Sequence, residues 1–320
     1  MEGIVSATPN TTKSRVRGKL ELFLPARFIP EKSLGFILWI RSQRRPALTF
    51  WLLRRCSLLP PGCTHRALSE PPSPTLEALF MHLLLLDIDG TLLRAHGAGS
   101  SAIETAISSV TGQPISTDGI SFSGRTDPNI LRDVVRENGL VPNPNLMDEI
   151  TATYTEAARS AIVEKDVERL PGTAEFLSLL AERDDIYLAL VTGNVEPVAY
   201  QKLKAVGFAH YFSVGAFGSD HAARSKLPGL AMHRATKHTG HAFSMANTLV
   251  IGDTTRDIEC ARDAGAHSGV VATGHPSSSD LAARNPDLLL DTFEPPELTI
   301  ERILDIFANE PRSSQSRHDL

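Results

Sequence analysis

The sequence predicts an α/β fold in which a Rossmann-like parallel sheet core carries an inserted α-helical cap domain. From residue 81 onward, short apolar runs typical of buried strands alternate with segments of helical periodicity, which indicates a parallel sheet. Two of these apolar runs end in carboxylates. About a hundred residues separate the first two runs, far more than a normal crossover, and they carry apolar positions at helical spacing. We therefore expect a helical domain between the first two core strands.

The first 80 residues do not fit this pattern, because they show no sustained helical or strand period. They hold twelve Lys/Arg and five Asp/Glu, a formal charge of +7, which leaves −12 for the rest of the chain. Three interpretations stay open: an over-extended reading frame whose true start is Met81, which we favour; a transit peptide, against which Glu21 and Glu31 count; and a membrane-surface or partner-binding tail.

The composition of the 320-residue chain, 42% hydrophobic and 22% charged, is ordinary for a globular protein. The acidic charge after residue 80 argues against nucleic-acid binding by the globular part. Residues 34–53 are the best candidate for a membrane span, but three arginines and a proline interrupt them, so we expect no span. The three cysteines suit neither a disulfide framework nor a metal site, and we expect a cytoplasmic protein.

The core elements follow in chain order from the apolar runs and the helical spacing between them. Residues 83–86, four consecutive leucines, are predicted as a strand that is buried on both faces. Further core strands are predicted at 186–191, 248–251, 269–271 and 288–290. Core helices are predicted at 173–183, 196–206, 230–238, 256–264 and 298–307, and cap helices at 100–110, 128–137 and 146–163. The predicted domains are a core of 81–94 and 171–310, a cap of 95–170, and a polar tail of 311–320.

The first strand ends at two carboxylates, Asp87 and Asp89, which are followed by Gly90. Strand side chains alternate, so both carboxylates leave the strand end on the same side. Two like charges there are unfavourable unless a cation or a proton lies between them, which is the layout of a magnesium-assisted phosphoryl-transfer site. The alternative is an ordinary Asp-Gly turn.

Acidic residues also follow the strand predicted at 248–251: Asp253 comes just after it, and Asp257 comes one helical turn later. Taken alone, the two residues could serve as a helix cap and a partner of the helix dipole. Both acidic strand ends, however, lie at the same edge of one parallel sheet. We therefore expect the carboxylates to gather around a hard cation, and Mg²⁺ suits such a set of ligands.

Two further segments are candidates for phosphate binding. Thr192, Gly193 and Asn194 lie between a strand and a helix, where a hydroxyl and free backbone N–H groups can cradle an anion. Helix capping is the commoner use of such residues. A transferring phosphoryl group also needs a cation, for which Lys226, just before a predicted helix, is our choice and Arg224 the reserve.

These four segments, in this order and at strand ends, resemble the four motifs of the haloacid dehalogenase-like (HAD) superfamily over about residues 82–308. Residues 87–91, Asp-Ile-Asp-Gly-Thr, are similar to its D-x-D-G-T pattern. The insertion, with Phe-Ser-Gly-Arg-Thr-Asp at residues 122–127, resembles the helical cap of the phosphoglycolate phosphatase/β-phosphoglucomutase branch. At the third motif the chain departs from the usual Lys-Pro, because Leu227 follows Lys226, and this leaves the cation open between Lys226 and Arg224.

The resemblance implies a role for each motif. Asp87 would be the nucleophile that forms an aspartyl-phosphate, and Asp89 would protonate the leaving group and then activate water. The acidic residues would hold Mg²⁺: Asp87, Asp89 through its backbone carbonyl, Asp253 and, in support, Asp257. The phosphoryl oxygens would be held by the other two motifs: Thr192, Gly193, Asn194 and Lys226.

The implied function is a Mg²⁺-dependent phosphatase that acts on a small phosphorylated metabolite, either phosphoglycolate-like or a sugar phosphate. One alternative is a phosphomutase of the β-phosphoglucomutase type, which would pass the phosphoryl group back to a sugar phosphate. The other is a non-catalytic protein that binds a phosphorylated metabolite. The presence of both Asp87 and Asp89 argues against that alternative, since binding alone does not need the pair.

Overall fold

The computed structural model describes residues 82–96, 98–162, 167–274 and 276–308. The predictions for the first 80 residues and for the polar tail at 311–320 lie outside these ranges. None of the helices in the described ranges has the length and apolar character needed to cross a bilayer.

The central sheet has six parallel strands in the spatial order β5-β4-β1-β6-β7-β8. The strands in the described ranges are β1 (His82–Leu86), β2 (Leu93–Ala95), β3 (Val167–Arg169), β4 (Ile186–Val191), β5 (Gly215–Ala216), β6 (Thr248–Gly252), β7 (His267–Val271) and β8 (Leu288–Leu290). The five core strands that the apolar runs predict are all present. The predicted α/β fold with a parallel, Rossmann-like sheet is therefore confirmed.

Helices connect these strands. Those in the described ranges are α1 (Ala98–Thr111), α2 (Asp127–Glu137), α3 (Pro144–Ala161), α4 (Thr173–Ala181), α5 (Glu196–Ala205), α6 (Leu227–Thr239), α7 (Thr255–Ala264), α8 (Ser278–Ala282) and α9 (Pro296–Ala308). The alternating side chains of β1 belong to two hydrophobic clusters. Leu84 and Leu86 pack in the cluster that includes Phe176 of α4, whereas Leu83 and Leu85 pack in the cluster that includes Ala231 of α6. The four leucines are fully buried because helices cover both faces of the strand.

The direction of strand addition reverses at β1. The chain adds β4 and β5 on one side of β1 and then β6, β7 and β8 on the other side. In open α/β sheets, ligands bind outside the carboxyl ends of the strands at such a reversal. The residues that directly follow β1, β4 and β6 are Asp87, Thr192 and Asp253. Since the three strands are parallel and adjacent, these residues emerge at the same edge of the sheet.

The insertion after β1 is helical. Helices α1, α2 and α3 lie between β2 and β3, and these two short strands pair antiparallel, with Leu93 opposite Arg169. At the start of α3, the Asn143 side chain accepts a hydrogen bond of 3.0 Å from the Leu146 N–H, as an N-cap does. The apolar residues of α2 recur at helical spacing and are buried: Ile130, Leu131, Val134 and Val135. The exact limits of core and cap stay predictions.

Three features of the structure are not predicted from periodicity: the β2–β3 pair, the strand β5 and the helix α8. They have two to five residues each, which is too short for alternation or helical spacing to stand out. Helix α6 begins at Leu227 rather than at residue 230. Pro228 is tolerated there because the N–H groups of the first helical turn need no partner within the helix.

Candidate active site

The nucleophile candidate, Asp87, is buried at the end of β1, with its side chain 8% exposed. Its Oδ1 accepts a hydrogen bond of 2.8 Å from the Ile88 N–H, and its Oδ2 accepts one of 2.7 Å from Arg224 Nη2. The Asp-Gly turn that sequence allows is also present, since Gly90 has φ +75°. A Cβ at Gly90 would lie 2.2 Å from Asp253 Oδ2, so glycine lets the first motif approach the fourth.

The acidic residues of the first and fourth motifs form one buried cluster. Ligand oxygens of Asp87, Asp253 and Asp257 lie within 4.8 Å of one another. Asp257 also completes a capping box, in which its Oδ2 accepts hydrogen bonds from the Thr254 N–H at 3.0 Å and hydroxyl at 2.6 Å. Thr254 and Asp257 therefore cap helix α7, while the Asp253 carboxylate lies within the acidic cluster.

The electrostatics of this cluster fit a divalent cation. Burial, together with the charges of Asp257 and Asp87, raises the pKa of Asp253 to about 8. Burial likewise raises the pKa of Asp87 to about 6, although the positive charge of Arg224 opposes the shift. Three buried carboxylates with one guanidinium carry surplus negative charge, and Mg²⁺ prefers a few carboxylates of this kind. The donor set therefore fits the expected ion.

These raised pKa values predict that the metal-free protein loses stability as the pH rises from 6.5 to 8. The folded-state pKa values of Asp87, Asp127 and Asp253 lie above the ordinary 3.8, so the folded protein binds more protons than the unfolded chain. Raising the pH therefore favours unfolding, and we expect the free energy of unfolding to fall by about 2 kcal/mol. His82, whose pKa burial lowers from 6.5, has the opposite effect, which acts mainly below pH 6.5 and fades above it.

Urea unfolding in EDTA at both ends of the interval measures this loss. Saturating Mg²⁺ should reduce it, because a bound cation compensates the ionised carboxylates, and Asp253→Asn should flatten it without metal. A free energy of unfolding that stays constant or rises with pH in EDTA would contradict this account of the cluster.

The cation at the cluster is Arg224, not the sequence-preferred Lys226. Arg224 is 9% exposed, and its Nη2 lies 2.7 Å from Asp87 Oδ2 and 2.6 Å from Asp257 Oδ1. Burial works against its charge, but Asp257 and Asp87 raise the pKa of Arg224 further above its ordinary value. Lys226 is exposed. Both residues lie in one short 3₁₀ turn, where positions two apart point in different directions, so only one of them reaches the carboxylates.

The second motif contacts both the first motif and the insertion. Thr192 is fully buried, and its Oγ1 accepts a hydrogen bond of 3.0 Å from Asn194 Nδ2. Asn194 Nδ2 also lies 2.7 Å from Asp89 Oδ2. A Cβ at Gly193 would lie 2.0 Å from the Arg125 carbonyl oxygen, so glycine is needed where the insertion approaches.

Lys202 on α5 is a site residue that the sequence analysis missed. Its Nζ lies 2.6 Å from Asp89 Oδ2 and 2.6 Å from Asn194 Oδ1, and the residue is buried. The carboxylate of Asp89 thus turns toward Lys202 rather than into the acidic cluster. A signal was present in the sequence: Lys202 lies on the same helical face as the buried Val198 and Ala199, where an unpaired lysine would be unfavourable.

The insertion adds one buried carboxylate to this region. Asp127, at the start of α2, accepts hydrogen bonds from the Val195 N–H at 2.9 Å and the Tyr154 hydroxyl at 3.1 Å. Burial raises the pKa of Asp127 to about 6, against the effect of the Lys202 charge. The Asp127 N–H also donates to the Gly193 carbonyl at 2.7 Å. The first turn of α2 is therefore fixed to the loop after β4.

Comparison with known proteins shows relatives over the same region. Residues 84–271, more than half of the chain, match the family model described as haloacid dehalogenase-like hydrolase. The phosphoglycolate phosphatase of Cupriavidus necator is 27% identical over 213 residues, which cover 66% of this chain and 89% of that protein. The phosphoglycolate phosphatase of Vibrio vulnificus is 26% identical over 224 residues, which cover 66% of this chain and 92% of that protein.

Solved structures share the fold. CbbY from Rhodobacter sphaeroides in complex with phosphate aligns with a TM-score of 0.56 at 21% identity, over 68% of this chain and 96% of CbbY. A putative β-phosphoglucomutase from Bacteroides vulgatus aligns with a TM-score of 0.52 at 20% identity, over 72% and 91% of the two chains. The family model and the curated phosphatases confirm the predicted resemblance and the prediction of a phosphatase enzyme, and the solved structures confirm the fold. The chain belongs to the haloacid dehalogenase-like hydrolase family.

Proposed function

We propose that the protein is a Mg²⁺-dependent phosphatase that hydrolyses a small phosphorylated metabolite through an aspartyl-phosphate on Asp87. The observation that carries this proposal is the grouping of Asp87, Asp253, Asp257 and Arg224 in one buried cluster where adjacent parallel strands end. A buried carboxylate beside a guanidinium and further carboxylates suits nucleophilic attack on phosphorus better than a role in folding, where surplus buried charge is unfavourable.

The residues that would hold the ion are Asp87, Asp253 and Asp257, together with the Asp89 backbone carbonyl. When bound, Mg²⁺ would neutralise these oxygens and let an anionic nucleophile approach an anionic phosphate. Asp257 accepts hydrogen bonds from Arg224 and from the Thr254 hydroxyl. It therefore also fixes the position of the Arg224 guanidinium and caps the start of α7.

The two chemical steps use both carboxylates of the first motif. A carboxylate oxygen of Asp87 attacks phosphorus, the bond between phosphorus and the ester oxygen breaks, and Asp89 gives its proton to the leaving alkoxide. Water then attacks the same phosphorus, Asp89 takes a proton from it, and Asp87 leaves as a free carboxylate. The products are an alcohol and inorganic phosphate.

The phosphoryl oxygens would be held at the ends of β4 and β1. The candidates from the second motif are the Thr192 hydroxyl and the Gly193 N–H, because both amide hydrogens of Asn194 are already donated to Asp89 Oδ2 and Thr192 Oγ1. Arg224, rather than Lys226, would be the cation that binds the phosphoryl oxygens. Its guanidinium lies 2.7 Å from Asp87 Oδ2, where it can stabilise the negative charge that develops on the phosphoryl group. The Asp127 contact with Gly193 joins this subsite to the insertion, which would exclude water as a cap.

The substrate class is a small phosphate monoester, either phosphoglycolate-like, as the names of the curated relatives suggest, or a sugar phosphate. A cytoplasmic location is part of the proposal. It is supported by the free, buried thiol of Cys260, which suits a reducing compartment.

The test is phosphate release by the whole chain from p-nitrophenyl phosphate, phosphoglycolate and a panel of sugar phosphates, with Mg²⁺ and with EDTA. The proposal expects release from at least one ester, lost in EDTA and restored by Mg²⁺. Folded protein that releases no phosphate from any ester would overturn it. Conversion of a sugar 1-phosphate into its 6-phosphate, stimulated by a sugar bisphosphate and without phosphate release, would instead establish the phosphomutase.

A further inference from the structure

The side chain of Lys202 ends between the acid–base candidate and the second motif. Lys202 lies on the buried face of α5, and its side chain is 11% exposed. Its Nζ lies 2.6 Å from Asp89 Oδ2 and 2.6 Å from Asn194 Oδ1. Its neighbours on the same helix are apolar: Val198, Ala199 and Leu203. A lysine at a position where an apolar side chain would pack well indicates that the charge serves these two contacts.

Lys202 determines how the Asn194 amide is oriented. An ammonium group only donates hydrogen bonds, so the Asn194 atom that faces it must be the carbonyl oxygen. The amide nitrogen is then directed to Asp89 Oδ2 at 2.7 Å and to Thr192 Oγ1 at 3.0 Å. One lysine thus fixes two donors on the same oxygen of Asp89: its own ammonium group and the Asn194 amide.

The two oxygens of Asp89 differ as a result. Oδ2 accepts both donors, whereas no described residue donates a hydrogen bond to Oδ1. An oxygen that already accepts two hydrogen bonds is the poorer place for a proton. We propose that Lys202 is a positioning residue for Asp89: by holding Oδ2, it leaves Oδ1 to carry the proton that Asp89 gives to the leaving group. This inference rests on the proposed phosphatase function.

The first test is the dependence of kcat/KM on the leaving group in Lys202→Met, measured with p-nitrophenyl phosphate and with phenyl phosphate. p-Nitrophenolate departs with little help from an acid, whereas phenolate needs its proton, so a misplaced Asp89 affects phenyl phosphate more. We expect the loss to be at least about tenfold larger for phenyl phosphate, within the range that general acids contribute. Lys204→Met, an exposed lysine on the same helix, is the matched control and should leave both values unchanged.

The second test is a double-mutant cycle with Asp89→Asn on phenyl phosphate. If Lys202 acts through Asp89, Lys202→Met should cause no further loss of kcat/KM in the Asp89→Asn protein. If Lys202→Met does not fold, Asn194→Ala removes the other donor to Oδ2 and should show the same dependence on the leaving group.

The outcomes separate this inference from the proposed function. Wild-type protein without Mg²⁺-dependent release from any ester of the panel would mean that the phosphatase proposal fails, and with it this inference. If the wild type hydrolyses other esters but neither aryl phosphate, the double-mutant cycle is run on the best of those esters and decides the role of Lys202. Active wild-type protein whose Lys202→Met variant loses the same factor on both esters, or loses activity additively with Asp89→Asn, would overturn only the role of Lys202.

Discussion

Asp87→Asn is expected to abolish phosphate release, with kcat lower by at least roughly 10⁴-fold, as for other enzymes that lose their nucleophile. The amide nitrogen cannot attack phosphorus as a carboxylate oxygen does. The change is nearly isosteric, and Arg224 keeps its bonds of 2.6 Å and 3.1 Å to Asp257 Oδ1. The measurement is steady-state release from the best ester of the panel, at saturating Mg²⁺.

Stability controls distinguish this loss from unfolding. Burial raises the pKa of Asp87 to about 6, so its charge disfavours the folded state near neutral pH without metal. We therefore expect the unfolding temperature of Asp87→Asn in EDTA to equal or exceed that of the wild type. Asp291→Asn, at an exposed position, is the matched control and should keep full activity. Substantial turnover by a folded Asp87→Asn protein would contradict the role of Asp87.

Arg224→Met is expected to lower kcat/KM by roughly 10²–10³-fold, the effect of removing one donor from a developing oxyanion. The guanidinium is the buried positive charge that contacts Asp87, and its loss also leaves Asp257 without its ion pair. We expect some loss of stability as well, because a buried pair is broken. Assays at a temperature well below the unfolding midpoint separate the two effects.

Lys226→Met is the matched variant for Arg224→Met. Lys226 lies two residues away in the same turn but is exposed, so we expect kcat/KM to stay within about twofold of the wild type, as for other exposed charges. Arg224→Lys, which keeps the charge on a shorter and differently shaped group, should lie between Arg224→Met and the wild type. A larger loss for Lys226→Met than for Arg224→Met would return the cation role to Lys226.

The acidic part of the site was accessible to sequence reasoning because it depends on strand ends. Asp87 directly follows one apolar run, and Asp253 follows another after a single glycine. The two runs form adjacent parallel strands, so their carboxyl ends lie at the same edge of the sheet. This reasoning requires only that the strands be located in the sequence, and runs of leucine, valine and isoleucine locate them. The predicted strand at 186–191 is observed with the same limits for the same reason.

The basic part of the site was less accessible because it depends on side-chain direction. Arg224 and Lys226 are equivalent in charge and close in sequence, and only the turn of the backbone decides which one enters the cluster. Lys202 comes eight residues after Asn194 and meets it through the packing of α5 against the sheet. No local sequence pattern specifies that Lys202 contacts Asn194. A lysine on an apolar helical face indicates only that its charge has some buried partner.

The most direct test of the account is to trap the phosphoryl group on the protein. Asp89→Asn is suited to this, because in the proposed mechanism p-nitrophenyl phosphate would phosphorylate Asp87 without an acid, whereas hydrolysis of the intermediate would need Asp89 as the base. The protein would be mixed with p-nitrophenyl phosphate and Mg²⁺, quenched in acid and digested, and its peptides analysed by mass spectrometry. We predict one added phosphoryl group on the peptide that contains Asp87, and none there in the protein that also carries Asp87→Asn. A phosphoryl group on another residue, or phosphate release by the wild type with no phosphorylated peptide trapped, would contradict the account.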